Sequence, residues 1–153
     1  MRLFQKRIYL FTWLILFMLA FIIPTISAAQ EAAGAAAEIP KPSRYITATY
    51  FHNTVRCPTC HKIEEMSAEA VRNNFAEQLK NGTLVWRAIN VDEPENQHYN
   101  KDYQLYTKSL IISEIKDGKE VRYKNLEKIW TYVRNEPDFE QYVTSEIKDW
   151  MKE

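Results

Sequence analysis

The chain has 153 residues, 46% of them hydrophobic, with 20 basic side chains against 20 acidic ones. That length supplies one domain of ordinary globular size. The balanced charge leaves no basic footprint of the kind nucleic acid requires, so partners held by bulk charge are not expected.

In chain order, Arg2, Lys6 and Arg7 precede an uncharged apolar run from Ile8 to Ile23, followed by Pro24 and the small residues Ser27 to Ala29. This is the shape of a secretory signal peptide over residues 1–29, with cleavage after Ala29. The alternative is an uncleaved membrane anchor over residues 8–23, although the run falls just short of the roughly 20 apolar residues that span a bilayer. Either way the domain is expected outside the cytoplasm, periplasmic or secreted, or tethered to the membrane surface. Cleavage removes three basic residues and no acidic one, which leaves a net charge of about −3. Residues 30–43, "QEAAGAAAEIPKPS", are Ala-rich, carry two prolines and present no apolar face. They read as a flexible linker, so the folded domain is expected over 44–153.

"RYITATYFHN" (44–53) is rich in β-branched and aromatic residues and predicts a strand buried on both faces. The apolar period then changes: Ile63, Met66, Ala70, Val71, Phe75 and Leu79 fall at helical spacing, and Asn81-Gly82 supplies a stop, which predicts one helix over 58–80. "TLVWRAINVD" (83–92) is a second strand, and Pro94 opens a polar segment through Tyr106 with a modest helix. "SLIISEIKDGKEVRY" (109–123) predicts a hairpin turning at Asp117-Gly118. Leu126, Ile129, Trp130 and Val133 trace a short extra helix over about 126–134. Phe139, Tyr142, Val143, Ile147 and Trp150 trace a longer one, with Pro137 between the two and Asp138 and Gln141 as its capping box.

The only two cysteines, Cys57 and Cys60, sit in "YFHNTVRCPTCHK" at the junction of the first strand and first helix. A CxxC pair there, with a second strand ending "INVDE" and the hairpin "SLIISEIKDGKE" before a C-terminal helix, resembles the thioredoxin-like proteins. The resemblance spans Tyr45 to Trp150. It implies an α/β fold, a central mixed sheet flanked by helices, with the 126–134 helix as an addition before the C-terminal helix. It also implies a thiol–disulfide oxidoreductase whose cofactor is its own Cys57–Cys60 disulfide, with no metal, acting as a monomer on a disulfide-bearing client protein and recharged by a membrane or extracytoplasmic redox partner. Two positions depart from the family. Lys108 stands where the family has a cis-proline beside which clients dock, and Phe51 matches the position of its buried acid.

A helix N-terminus favours an anion, so a Cys57 thiolate forms there with a lowered pKa, and Cys60 one turn on becomes the resolving thiol. Arg56 and a protonated His61 would push in the same direction. Pro58 suits the first helical turn, and Thr59 either donates to the Cys57 sulfur or faces water. His52 and Glu64 are candidate proton relays, each with a plainer reading as a packed strand residue and a solvated carboxylate. Lys108 either stabilises a thiolate or points outward, and His98 reads as a surface residue. A structural disulfide over so short a loop would restrain the unfolded chain little. The remaining rivals are a c-type haem attached through "CPTCH" with His61 as ligand, a soft-metal site using Cys57, Cys60 and His52 or His61, and an interaction module with idle cysteines.

Overall fold

The computed structural model describes residues 42–152. The predicted leader (1–29) and all of the linker but Pro42 and Ser43 lie outside them. Among the described residues no helix is long and apolar enough to cross a membrane. Ser43, the last residue of the predicted linker, is already tied to the domain, its carbonyl accepting from the Asp117 N–H at 2.7 Å.

The first strand, β1 (Arg44–His52), is the spine of a four-stranded sheet. On one side it pairs in parallel with β2 (Leu84–Asn90) from Ile46–Leu84 to His52–Asn90. On the other it pairs antiparallel with β3 (Ser109–Lys116), which in turn carries β4 (Lys119–Asn125) as the outer strand, for an order β2-β1-β3-β4. A parallel pair needs a helical crossover. It is supplied by α1 (Pro58–Asn74) and α2 (Ala76–Asn81). Between β2 and β3 lie a short 3-10 turn (Pro94–Asn96) and α3 (His98–Asp102). Then come α4 (Ile129–Tyr132) and α5 (Glu136–Lys152).

A central strand is buried on both faces, and β1 shows it: Ile46, Ala48 and Tyr50 point to one side, and Thr47, Thr49 and Phe51 to the other, all buried. Ile46, Ala48 and Tyr50 join Ile63, Val71, Leu110, Ile112, Phe139, Val143 and Ile147 beneath α1 and α5. Phe51 faces the other way and meets Val91 and Ile111, with Tyr99, Tyr103 and Leu105 packed against them. The Asp117-Gly118 turn takes φ of 51° and 77°, the left-handed pair that matches the twist of a two-residue hairpin.

Two helix boundaries differ from expectation. The first helix breaks at Phe75, whose φ of −135° ends α1 after its N–H has closed on the Val71 carbonyl. The break lets Phe75 be buried in the main cluster, and the Asn74 side chain competes for the Ala70 carbonyl at 2.9 Å. The last helix is capped by Asn135, not Asp138. The Asn135 side chain accepts from the Asp138 N–H at 3.4 Å and donates to the Asp138 carboxylate at 2.6 Å. Pro137 therefore lies within the first turn, where its missing N–H is not needed.

Candidate active site

The site begins where β1 and β2 end side by side. The Val91 N–H donates to the His52 carbonyl at 2.8 Å, and the Asp92 carboxylate reaches across to the loop that follows β1. It accepts from the Asn53 side chain at 2.7 Å and from the Thr54 N–H at 2.8 Å, and these bonds hold its pKa below the usual carboxylate value. The Asn90 side chain adds a bond to the Thr54 hydroxyl at 3.0 Å. Asn53, Thr54, Asn90 and Asp92 thus fix the approach to the cysteines, a role unseen in the sequence because the partners are 36 to 39 residues apart. The "NVD" that closes β2 and enters the following turn was the available signal.

Cys57 is the N-cap of α1 and is exposed, with φ −85° and ψ 160°, and Pro58 opens the first turn. Its Sγ accepts from the Cys60 N–H at 3.2 Å, as an N-cap oxygen would. The two cysteines are joined as a disulfide, with their Cα atoms 5.1 Å apart. Cys60 is only 3% exposed, so one sulfur faces solvent and the other faces the core. The backbone N–H of Cys60, and not Thr59, supplies the bond to the Cys57 sulfur. Thr59 and His61 are both exposed.

Beneath Cys60 lies Tyr50, fully buried, its hydroxyl donating to the Cys60 carbonyl at 2.9 Å. Burial pushes the Tyr50 hydroxyl up to about 12, against an opposing pull from the nearby Arg56 charge, so it stays a donor through the neutral range. Phe51, the position matched to the family's buried acid, is turned to the opposite face and rests against Tyr99 and Tyr103 at 5.0 and 5.3 Å between ring centres. Strand alternation decides this: a step of one residue changes the face. The β1 side chain under the disulfide is therefore a tyrosine.

Arg56 is not a free cation beside Cys57. Its guanidinium pairs with Glu64, one turn past Cys60 on α1, while its Nε is buried without a hydrogen-bond partner. Glu64 accordingly belongs to the site as an ion-pair partner and not to an open solvated face. His52, half-buried at the end of β1, stacks near Tyr50 at 6.2 Å and shares a shallow hollow with Asn53, Tyr106 and Lys108. The Lys108 charge acts on Asp92, and its backbone carbonyl accepts the Trp130 indole N–H at 3.0 Å. No cis peptide bond occurs among the described residues, so Lys108 follows a trans bond. His98 pairs with Asp102 at 2.7 Å on the surface, as expected.

A haem joined to both sulfurs would have to reach Cys60 inside the core, where it rests on Tyr50, and this packing weighs against that rival. For a soft metal, no three His, Cys, Asp or Glu side chains converge among the described residues.

Strand order, the α1–α2 crossover and a CxxC disulfide at the N-terminus of α1 define a thioredoxin-like domain with its disulfide at the expected junction. No protein-family model matches the chain, and no curated protein matches it. Among solved structures it is similar to the X-ray structure of thioredoxin from Fasciola hepatica, with 20% identity, a TM-score of 0.38, and coverage of 66% of this chain and 80% of that one. The topology itself, not this distant likeness, carries the fold assignment.

Proposed function

We propose that the domain is a thiol–disulfide oxidoreductase in which Cys57 attacks and Cys60 resolves. The observation that carries this reading is the asymmetry of the pair: an exposed sulfur at a helix N-terminus bonded to a buried one. In the dithiol form, the Cys57 thiolate is stabilised by the N–H groups of the first turn. It attacks a client disulfide, forming a mixed disulfide and expelling one client thiolate. Cys60 then loses its proton and attacks the Cys57 sulfur, which closes the Cys57–Cys60 bond and releases the second client thiolate. The client gains two electrons and the protein loses two. Reversal of the same steps oxidises a dithiol, and the reduction potential selects the direction.

Both cysteines belong to one couple, so the domain draws its electrons from an outside thiol or disulfide, and the reading takes this source to be an extracytoplasmic or membrane redox partner. The leader-like segment at 1–29 supports export, and mass spectrometry of the mature N-terminus distinguishes cleavage after Ala29 from anchoring by residues 8–23. The mechanism is tested by trapping. Cys60→Ser is expected to accumulate a mixed disulfide with client through Cys57, and Cys57→Ser to accumulate none. A Cys60→Ser protein that captures nothing, with a wild type that turns over no disulfide, would sink the enzyme reading.

A further inference from the structure

From the geometry we infer that Trp130, on the added helix α4, is a positioning residue for client docking: it holds the loop that ends at Lys108 and walls the hollow beside the disulfide. This rests on the oxidoreductase reading above.

The segment from Tyr103 to Lys108 has no regular structure and borders the site through the hollow it shares with His52 and Asn53. Its second residue, Gln104, is left-handed at φ 50°, and Tyr106 is exposed to 94%. The Leu105 N–H is tied back to the Asn100 carbonyl at 2.9 Å, and the Ser109 hydroxyl holds the Thr107 carbonyl at 3.0 Å. These two ties are local, and the start of the segment is also held by the Tyr103 hydroxyl donating to the Glu120 carboxylate at 2.5 Å and by Tyr103 and Leu105 packing against the Phe51 cluster. The Trp130 N–H to the Lys108 carbonyl is the one that reaches 22 residues along the chain, and it joins the loop to α4. α4 is itself anchored, because Ile129 is fully buried and Leu126 donates its N–H to the Leu110 carbonyl at 2.8 Å.

The indole also shapes the surface. A hollow of about 650 Å³ opens beside the disulfide, lined by Thr59, Lys62, Trp130, Thr131, Val133 and Arg134. A second, of about 470 Å³, lies on the loop side and is lined by Tyr103, Tyr106, Tyr123 and Trp130 among others. Trp130 is common to both. A polypeptide whose disulfide reaches the Cys57 sulfur extends well beyond that sulfur and needs both the hollow and a fixed loop. A small disulfide needs neither. Trp130 should therefore discriminate protein disulfides from small ones while leaving the sulfur chemistry alone.

The test uses Trp130→Phe, which keeps a ring and removes the N–H, and Trp130→Leu, which also removes the wall. Insulin serves as the protein disulfide and 5,5′-dithiobis(2-nitrobenzoate) as the small one. For Trp130→Phe the expected result is a KM for insulin raised about fivefold, the scale of one hydrogen bond. kcat, the reduction potential and the rate with the small disulfide should be unchanged, and amide hydrogen exchange should accelerate over residues 104–109 only. Trp130→Leu should raise KM further. An unchanged KM overturns the inference, as does equal slowing of both substrates with a shifted potential. If wild type neither reduces these substrates nor oxidises a dithiol, the oxidoreductase reading fails. Hydrogen exchange still reads the tether then, and unchanged exchange in Trp130→Phe removes the tether as well.

Discussion

The two ends of the sheet handle buried charge in opposite ways. At the end far from the cysteines, Glu114 on β3 is almost fully buried, yet both carboxylate oxygens are met by cations: Arg44 at 2.5 Å, Arg122 at 2.6 Å and Lys116 at 3.2 Å. Arg44 also donates to the Trp150 carbonyl at 3.0 Å, and the Arg122 guanidinium lies 4.4 Å from the centre of the Trp150 ring, so the cluster fastens the end of α5 to the sheet. At the disulfide end, Arg56 has one carboxylate partner and a buried Nε with none, and the group beneath Cys60 is a neutral tyrosine. The Glu114 cluster is fully paired, whereas the disulfide end, the proposed reacting site, retains an incompletely paired arginine whose electrostatics can respond to a change of charge on sulfur.

Substitutions at the two ends should separate accordingly. The largest effect is expected at the sulfurs, where Cys57→Ser abolishes disulfide exchange in an insulin-reduction assay and leaves thermal unfolding of the reduced protein nearly unchanged.

Next is Glu114→Gln, which strands three cations around a neutral amide. It should cost about 2–3 kcal/mol in urea unfolding, below the range for a wholly buried pair because its cations are partly exposed. The reduction potential should not move. The pH dependence has a definite sign. Burial raises the Glu114 pKa, but hydrogen bonds from Arg122, Arg44 and Lys116 outweigh it and bring it down to about 2 from 4.5. The depressed value means that the cluster's stability is complete above about pH 4.5 and is lost as pH falls from there through about 2. Acid titration of unfolding should show this loss in wild type and a flatter profile in Glu114→Gln.

A smaller effect is expected from Tyr50→Phe, which frees the Cys60 carbonyl: about 1 kcal/mol of stability, with slower resolution of a trapped mixed disulfide measured by stopped flow. The smallest is Glu64→Gln. Releasing the Arg56 charge should ease ionisation of the Cys57 thiol and speed its alkylation at pH 6 by about threefold, and Arg56→Gln should slow it. If both variants react alike, the ion pair does not act on Cys57.

What the sequence disclosed was what lies close along the chain. The β1 pattern, the cysteines at a strand-to-helix junction, Pro58 in the first turn and the Asp117-Gly118 turn are each set within a few residues. Features that depend on distant partners stayed hidden. Phe75 breaks its helix to enter the core, and Asn135 takes the cap from Asp138 once Pro137 is drawn into the helix. The resemblance matches Phe51 to the family's buried acid, but pairing of β1 with both neighbours fixes the faces and puts Tyr50 under Cys60. The added helix was visible as an apolar period. Its contact with the Lys108 carbonyl was not, because Lys108 offers a backbone atom that no side-chain pattern encodes.

The most direct test of the central claim is thiol mapping of the reduced protein by brief alkylation at pH 6, followed by return to an oxidising glutathione buffer. Modification of Cys57 with Cys60 spared, and quantitative closure of the 57–60 disulfide in the unmodified fraction with a reversible two-electron potential, is the predicted result. Equal labelling of both cysteines, or thiols that fail to re-form the disulfide, would contradict it.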